Sequence, residues 1–261
     1  MKLFDCFMYN NEDLVLEIRL NTLDKFVHKF IIVESCYDHQ GKKKKLKFDI
    51  KKFKKFKKKI NYIVLRKFPK NMSNWQRENY NRNYLEKGLK DAKDNDYIMV
   101  SDLDEIPKID DYEIFSKKKY TAFRQKMIYY RFNLLNTTRP NWFGTKACKK
   151  KHLKTLQWLR EQKVKNYPFW RIDKINWNII KDGGWHFSYV MSNKKIINKI
   201  KSFAHSEYNI QKYLNIRSIK KKILERKDLF NRSNKFKKIE NEKKLPNYLV
   251  KHKKKFKSLM I

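Results

Sequence analysis

The chain is short of several residue types, and each shortage narrows what it can be. Its 261 positions hold three cysteines, five glycines, five prolines and only four alanines. The cysteines, Cys6, Cys36 and Cys148, are odd in number and lack metal-ligand spacing, which argues against a disulfide framework or a cysteine zinc site. No run of 18 apolar residues occurs, so no segment reads as a membrane span. The first residues enter a strand-like run without a secretory apolar core, and the expected location is cytoplasmic. Acidic residues are scarce as well: 27 Asp and Glu face 65 Lys and Arg, a formal net charge of +38.

What is present is a folding sequence under that charge. Hydrophobic residues make up 41% and aromatics 15%, apolar mass that a disordered basic tail lacks. The cations are 53 Lys but only 12 Arg, beside 24 Asn and 24 Ile. Lys, Asn and Ile have A/T-rich codons, so this pattern reads as base bias filling exposed positions with Lys. Readers of phosphates and bases favour Arg for its bidentate fork. A basic nucleic-acid-binding protein is nevertheless the alternative that the charge raises.

Apolar runs and spacings order the chain. Leu3 to Tyr9, Phe30 to Val33, Tyr62 to Leu65 and Tyr97 to Val100 read as strands. Asn10 or Asn11 caps a helix carrying Leu14, Ile18, Leu20 and Leu23, and Ser73 to Ala92 reads as a second helix. Ala122 to Phe132 and Trp185 to Val190 read as later strands, and Asn193 to Phe203 as a helix. Strands alternating with helices imply an α/β fold, a Rossmann-like and mostly parallel central sheet flanked by helices, with an elaborated C-terminal half. The expected organisation is one domain over 1–261: a nucleotide-binding half 1–107, a second half 108–215 and a basic helical tail 216–261, with a break at Leu245-Pro246. From Gly41 to Ile60, 12 Lys interleave with Phe48, Phe53 and Phe56, a surface helix packed on the sheet or one lying on anionic lipid.

In such sheets ligands sit beyond the carboxyl ends of the strands, which places Glu34 and Asp102–Glu105 on one rim. Asp102 and Asp104 are two apart at a strand end, so both can face one divalent cation. Asp94 and Asp96 repeat the spacing in what reads as a solvated turn. Gly183-Gly184 follow Asp182 and precede Trp185 and His186; paired glycines permit close backbone approach, and the indole offers a face for a sugar ring. His186 and His205 are each a metal ligand, a proton shuttle or a structural imidazole. Arg77 and Arg82, on the helix before the Asp-x-Asp strand, can hold a diphosphate, or Arg82 simply pairs with Glu78 at i, i+4. The same carboxylates also suit a metal-dependent phosphodiesterase or nuclease.

Taken in order, Phe4-Asp5-Cys6-Phe7-Met8-Tyr9-Asn10-Asn11-Glu12, Leu16-Glu17-Ile18-Arg19-Leu20, Val33-Glu34-Ser35 and Trp75-Gln76-Arg77-Glu78 resemble glycosyltransferase family 17. Ser101-Asp102-Leu103-Asp104-Glu105-Ile106-Pro107, Gly183-Gly184-Trp185-His186-Phe187-Ser188-Tyr189, Lys199-Ile200-Lys201-Ser202-Phe203-Ala204-His205 and Leu245-Pro246 continue the likeness. The namesake activity is a β-1,4-mannosyl-glycoprotein β-1,4-N-acetylglucosaminyltransferase. The resemblance implies a GT-A-like fold, inversion at the anomeric carbon, a UDP-sugar donor (UDP-GlcNAc by family), a glycan acceptor and Mn²⁺ or Mg²⁺. It implies Asp102 and Asp104 as the metal and donor-phosphate motif and Glu34 near the nucleoside. On that footing Arg77, Arg82 and Trp185 are expected at the donor, and His205 as a further metal ligand. Asp182 is the first candidate for general base, followed by His186 and Glu105. Peripheral contact with an anionic membrane through the lysine-rich surface is also expected, and no specific nucleic acid.

Overall fold

The computed structural model describes residues 1–165, 167–168, 170–202 and 206–261. Two sheets share the work. Strands β1 (Leu3–Met8), β2 (Lys29–Ser35), β3 (Ile60–Leu65) and β4 (Tyr97–Val100) run parallel in the order β3-β2-β1-β4. The other strands are β5 (Glu105–Pro107), β6 (Tyr120–Phe123), β7 (Gln125–Tyr129), β8 (Leu134–Asn136), β9 (Asn141–Trp142), β10 (Lys146–Lys149), β11 (Trp177–Ile180), β12 (Gly184–Ser188) and β13 (Phe236–Lys238). The first sheet continues past β4 through β10, β6 and β11, and β10 is the strand that runs antiparallel to its neighbours. The second has the order β13-β8-β7-β12-β5, with β9 on β7. The architecture is mixed α/β, a parallel-containing central sheet flanked by helices.

Period-two alternation builds the layers of the first sheet. Leu3, Phe7, Phe30, Ile32, Tyr97 and Met99 face one core, where they meet helix α1 (Asp13–Leu23). Phe4, Cys6, Ile31, Val33, Ile98 and Val100 face the other, towards α2 (Asn74–Asn83) and α3 (Leu156–Glu161). Helices α4 (Asn193–Ser202) and α5 (Ile216–Leu224) cover the second sheet through Ile196, Ile200, Ile219 and Ile223. Short helices α6 (Asn247–Lys251) and α7 (Lys253–Phe256) close the chain, with Pro246 at the N-cap of α6.

Several local expectations shift. The stretch 122–132 is two strands, not one: the chain leaves the first sheet after Phe123 and enters the second at Gln125. The second helix is shorter, starting from a capping box between Ser73 and Gln76 and giving way to a 3-10 turn at Tyr84–Gly88, where Gly88 lies against Ile31 and Ile63. Glu12, rather than Asn10 or Asn11, occupies the N-cap of α1. The lysine-rich segment forms only a 3-10 helix, Ile50–Phe56, with Phe53 and Phe56 buried in the first core. Asp96 is no solvated turn residue, since it is buried and accepts from the backbone N–H groups of Lys2 and Lys93 at 2.8 and 2.9 Å. All three cysteines are free. Among the described residues no helix is long and apolar enough to cross a membrane.

Candidate active site

The chain passes from β4 in the first sheet to β5 in the second through Ser101–Asp104, so the acidic loop sits where the sheets meet. A cleft of about 810 Å³ opens there. Its floor holds Glu12, Asp102, Asp104, His186 and Lys199. One side is made by the carboxyl ends of β1 and β2 and by α2, with Ser35, Tyr37, Asp38, Lys44 and Trp75. The opposite wall comes from the second sheet and the C-terminal segment, with Tyr129, Trp142, Tyr189 and Phe230.

The loop is clamped from beneath. Arg19, fully buried on α1, makes a bidentate pair with Asp5 of β1 at 2.6 and 2.8 Å. The same guanidinium donates to the carbonyls of Asp102, Leu103 and Glu105 at 3.1, 3.2 and 2.9 Å and to Ser101 Oγ at 2.6 Å. A buried pair is tolerated when such additional bonds satisfy its remaining donors. Here they fix the path of the Asp-x-Asp backbone.

Above the clamp, both oxygens of Asp102 are engaged by cations: Arg82 at 3.0 Å on Oδ1 and Arg160 at 3.1 Å on Oδ2. Burial works to raise the Asp102 pKa, but Arg160 and Arg82 outweigh it and hold the carboxyl well below the usual range. Arg160 also donates to Glu105 at 2.7 Å, and Arg82 to Glu78 at 2.9 Å. Glu105 is completely buried, accepts from Trp142 Nε1 at 2.5 Å and from the Asp102 backbone at 2.9 Å, and lies where any Cβ on Gly144 would stand 2.1 Å from its carboxyl carbon.

Asp104 has different company. Lys199 of α4 donates to its Oδ2 at 3.0 Å and to Glu12 at 2.9 Å, joining three segments. Burial pulls the Lys199 pKa down, yet the carboxylates on either side keep it well above its ordinary value. Burial pushes Glu12 upward, with Lys199 opposing. The other oxygen of Asp104 faces His186 Nε2 at 3.7 Å, too long for a hydrogen bond. His186 packs its ring 5.3 Å from that of Trp142.

The candidates read from sequence therefore separate. Asp102, Asp104 and His186 line the floor, with Arg82 and the fully buried Glu105 packed behind it and outside the lining. Glu34 sits behind the cleft side, fully buried, accepting from the backbone of Lys47 and Phe48 at 2.8 and 3.0 Å and from Tyr62 at 2.8 Å. It thereby anchors the loop that carries Tyr37, Asp38 and Lys44 into the cleft. Arg77 donates to the His39 carbonyl at 3.2 Å, below Gly41, and does not line the cleft. Asp182 projects from a turn, 60% exposed, paired with Lys108 at 3.1 Å and with Lys126, and also lies outside the lining. Trp185 is core, its Nε1 bonded to the Lys244 carbonyl at 2.7 Å; alternation along β12 sends His186 and Ser188 to the cleft instead. The glycine pair admits neighbouring chain rather than a ligand: a Cβ on Gly184, at φ 111°, would stand 2.2 Å from the Ile106 carbonyl oxygen. His205 lies outside the described residues.

Arg160, Lys199 and Trp142 received no role from the sequence. Only Arg19 had a visible signal, a charge on the apolar face of a helix opposite an Asp inside an apolar strand.

A divalent cation can be tested against these donors. Among the described residues no group of three or more His, Cys, Asp or Glu side chains could hold a metal ion. Both oxygens of Asp102 already accept from an arginine, whereas among the described residues Oδ1 of Asp104 has no hydrogen-bond donor. With every carboxylate ionised, Glu12, Glu78, Asp102, Asp104 and Glu105 exceed Arg82, Arg160 and Lys199 by two charges. One carboxylate and an unmet charge of two fit an ion such as Mg²⁺, which characteristically binds through one or two carboxylates plus substrate phosphates.

Residues 1–261 match the family model of Glycosyltransferase family 17, and the chain belongs to that family and is a glycosyltransferase. No curated protein and no solved structure matches it.

Proposed function

From that membership we propose that the cleft transfers a sugar, GlcNAc by family, from a UDP-sugar to a hydroxyl of a glycan acceptor with inversion, in a GT-A-like arrangement. The observation that carries this reading is the acidic loop set at the carboxyl end of β4 between a side of parallel-strand ends and an aromatic wall. The donor nucleotide occupies the side formed by β1, β2 and α2, and the acceptor the opposite wall. Asp104 would hold a divalent cation, Mn²⁺ or Mg²⁺, with Asp102 contributing charge rather than a direct bond, and the ion would supply neutralisation of the departing diphosphate. With its carboxylates ionised, the ion-pair network around the floor carries an excess of negative charge that would otherwise repel that diphosphate.

His186 takes the acceptor proton on Nε2 as the acceptor oxygen bonds to the anomeric carbon and the carbon–phosphate oxygen bond breaks. That nitrogen lies 3.7 Å from Asp104 Oδ1, which places the acceptor hydroxyl beside the Asp-x-Asp loop. Lys199 and the Arg19 clamp keep Asp104 in place through these events.

The test is UDP release and sugar transfer over a panel of nucleotide sugars with and without Mn²⁺. Asp104→Asn should cut transfer about 10²–10³-fold in a chain that still unfolds cooperatively well above the assay temperature. Full metal-dependent transfer by that variant would sink the reading.

A further inference from the structure

The two ends of the cleft differ in charge. Among the described residues, every carboxylate lining it (Glu12, Asp38, Glu78, Asp102 and Asp104) belongs to the floor or to the first-sheet side. The second-sheet wall contributes none, and it contributes two arginines, Arg139 and Arg232.

Arg232 is built into place. Asp228, 2% exposed, accepts from its Nε and Nη2 at 3.0 and 2.9 Å, from Asn234 Nδ2 at 2.7 Å and from the Phe230 backbone at 2.8 Å. Phe230, Arg232 and Asn234, at every second position, then line the cleft around this buried hub, and Arg232 also donates to the Tyr129 hydroxyl at 2.9 Å. Arg139, on the connection from β8 to β9, is exposed at the same wall, and no carboxylate among the described residues pairs with it. The rings of Tyr129 and Tyr189, 5.5 Å apart, supply an apolar face beside these cations. Aromatic faces with a few placed polar groups are how sugar-sized ligands are held.

Resting on the transfer reading above, we infer that the acceptor is an anionic glycan whose carboxylate or phosphate group is received by Arg139, with Arg232 as its fixed neighbour. An exposed guanidinium on the cleft wall, with no carboxylate beside it among the described residues, is open to an incoming anion, and its planar fork suits both groups. A neutral acceptor would leave that charge to water alone.

The surface carries +38, so any anion is attracted somewhere and the test must be local. Trp142 lines the cleft and is 38% exposed, which makes its fluorescence a local reporter, identified by the signal lost in Trp142→Phe. Glucuronate, glucose 6-phosphate and methyl glucoside are titrated into the full chain at fixed ionic strength. At least one anionic sugar should bind tenfold or more tightly than the neutral one, with Arg139→Ala abolishing the preference and Arg139→Lys retaining part of it. Preference for glucuronate alone assigns a uronic acid acceptor, and preference for glucose 6-phosphate alone a phosphorylated one. Equal affinity, no binding by either anion, or a preference surviving in Arg139→Ala overturns the inference. Donor turnover measured as UDP release without acceptor is independent of this wall, so loss of anion preference with UDP release intact would leave the transfer reading standing.

Discussion

At the floor of the cleft a charged side chain reaches two or more partners brought from distant parts of the chain, whereas the far wall carries an arginine with no carboxylate beside it among the described residues. Asp102 is held by α2 and α3, Asp104 by α4, and the loop between them by α1. On the wall a single hub, Asp228, organises its own next six residues, and Arg139 stands apart. Long-range pairing fixes direction at the cost of burying charge, which suits groups that must meet a reacting bond with little reorganisation. Local pairing leaves surface available, which suits recognition.

Breaking the floor should have the largest effect. Arg19→Met strands a fully buried Asp5 and frees three carbonyls, and removing one partner of a buried pair costs about 3–5 kcal/mol. Thermal unfolding should show a fall of roughly 10 °C or more. A loss near 1 kcal/mol would mean that the clamp is dispensable.

The wall should yield less. Asp228→Asn keeps the shape but removes a charged acceptor, at about 1.5–3 kcal/mol. Burial opposes ionisation of Asp228, but its bonds from Arg232 and Asn234 prevail and hold its pKa below the ordinary value. A lowered carboxylate pKa gives stability that is present above the unfolded value, near 4, and lost as pH falls through the native one. The gap between wild type and variant in urea unfolding should therefore narrow from pH 5 to pH 2. A gap independent of pH would contradict an ionised hub.

The smallest effect sharpens the picture beneath the floor. Burial, aided by Arg160 and Arg82 and opposed by Glu105, pushes the Lys146 pKa down to about 7. A lysine lowered in the fold binds fewer protons there than when unfolded, so its contribution makes stability rise with pH above 7. Cysteine thiols begin to ionise in the unfolded chain near pH 8.5, which closes the clean window. Between those values Lys146→Met should flatten the slope by no more than about 2 kcal/mol, read from chemical denaturation at several pH values. An unchanged slope would show that Lys146 stays charged, held by the carbonyls of Arg160 and Gln162.

Much of the first sheet was legible because four short apolar runs, bounded by polar residues, can only be buried strands. Asp102 and Asp104 were legible as the pair delivered by one of them. The bend at Arg124 was not, since no glycine or proline marks it and apolar residues continue on both sides. Arg160 and Lys199 were invisible because their partners lie 55 to 187 residues away in sequence. Asp182 and Trp185 were placed by adjacency to His186, yet a strand turns successive side chains to opposite faces and the preceding turn points outward.

That bend at Arg124 bears on how the cleft can move. Beside it, Ile180 and Gly183 carry a second strand pair across the same boundary, and the crossings are stitched by Arg124 N–H to the Ile180 carbonyl and Gly183 N–H to the Arg124 carbonyl, both 3.0 Å. A one-residue crossing offers only two soft dihedral angles, and the neighbouring crossing restrains both. The two sheets thus behave like a folded plate creased once along its width, without a jaw. The width of the mouth is set by the crease, and substrates must come and go past the side chains and loops along its rim.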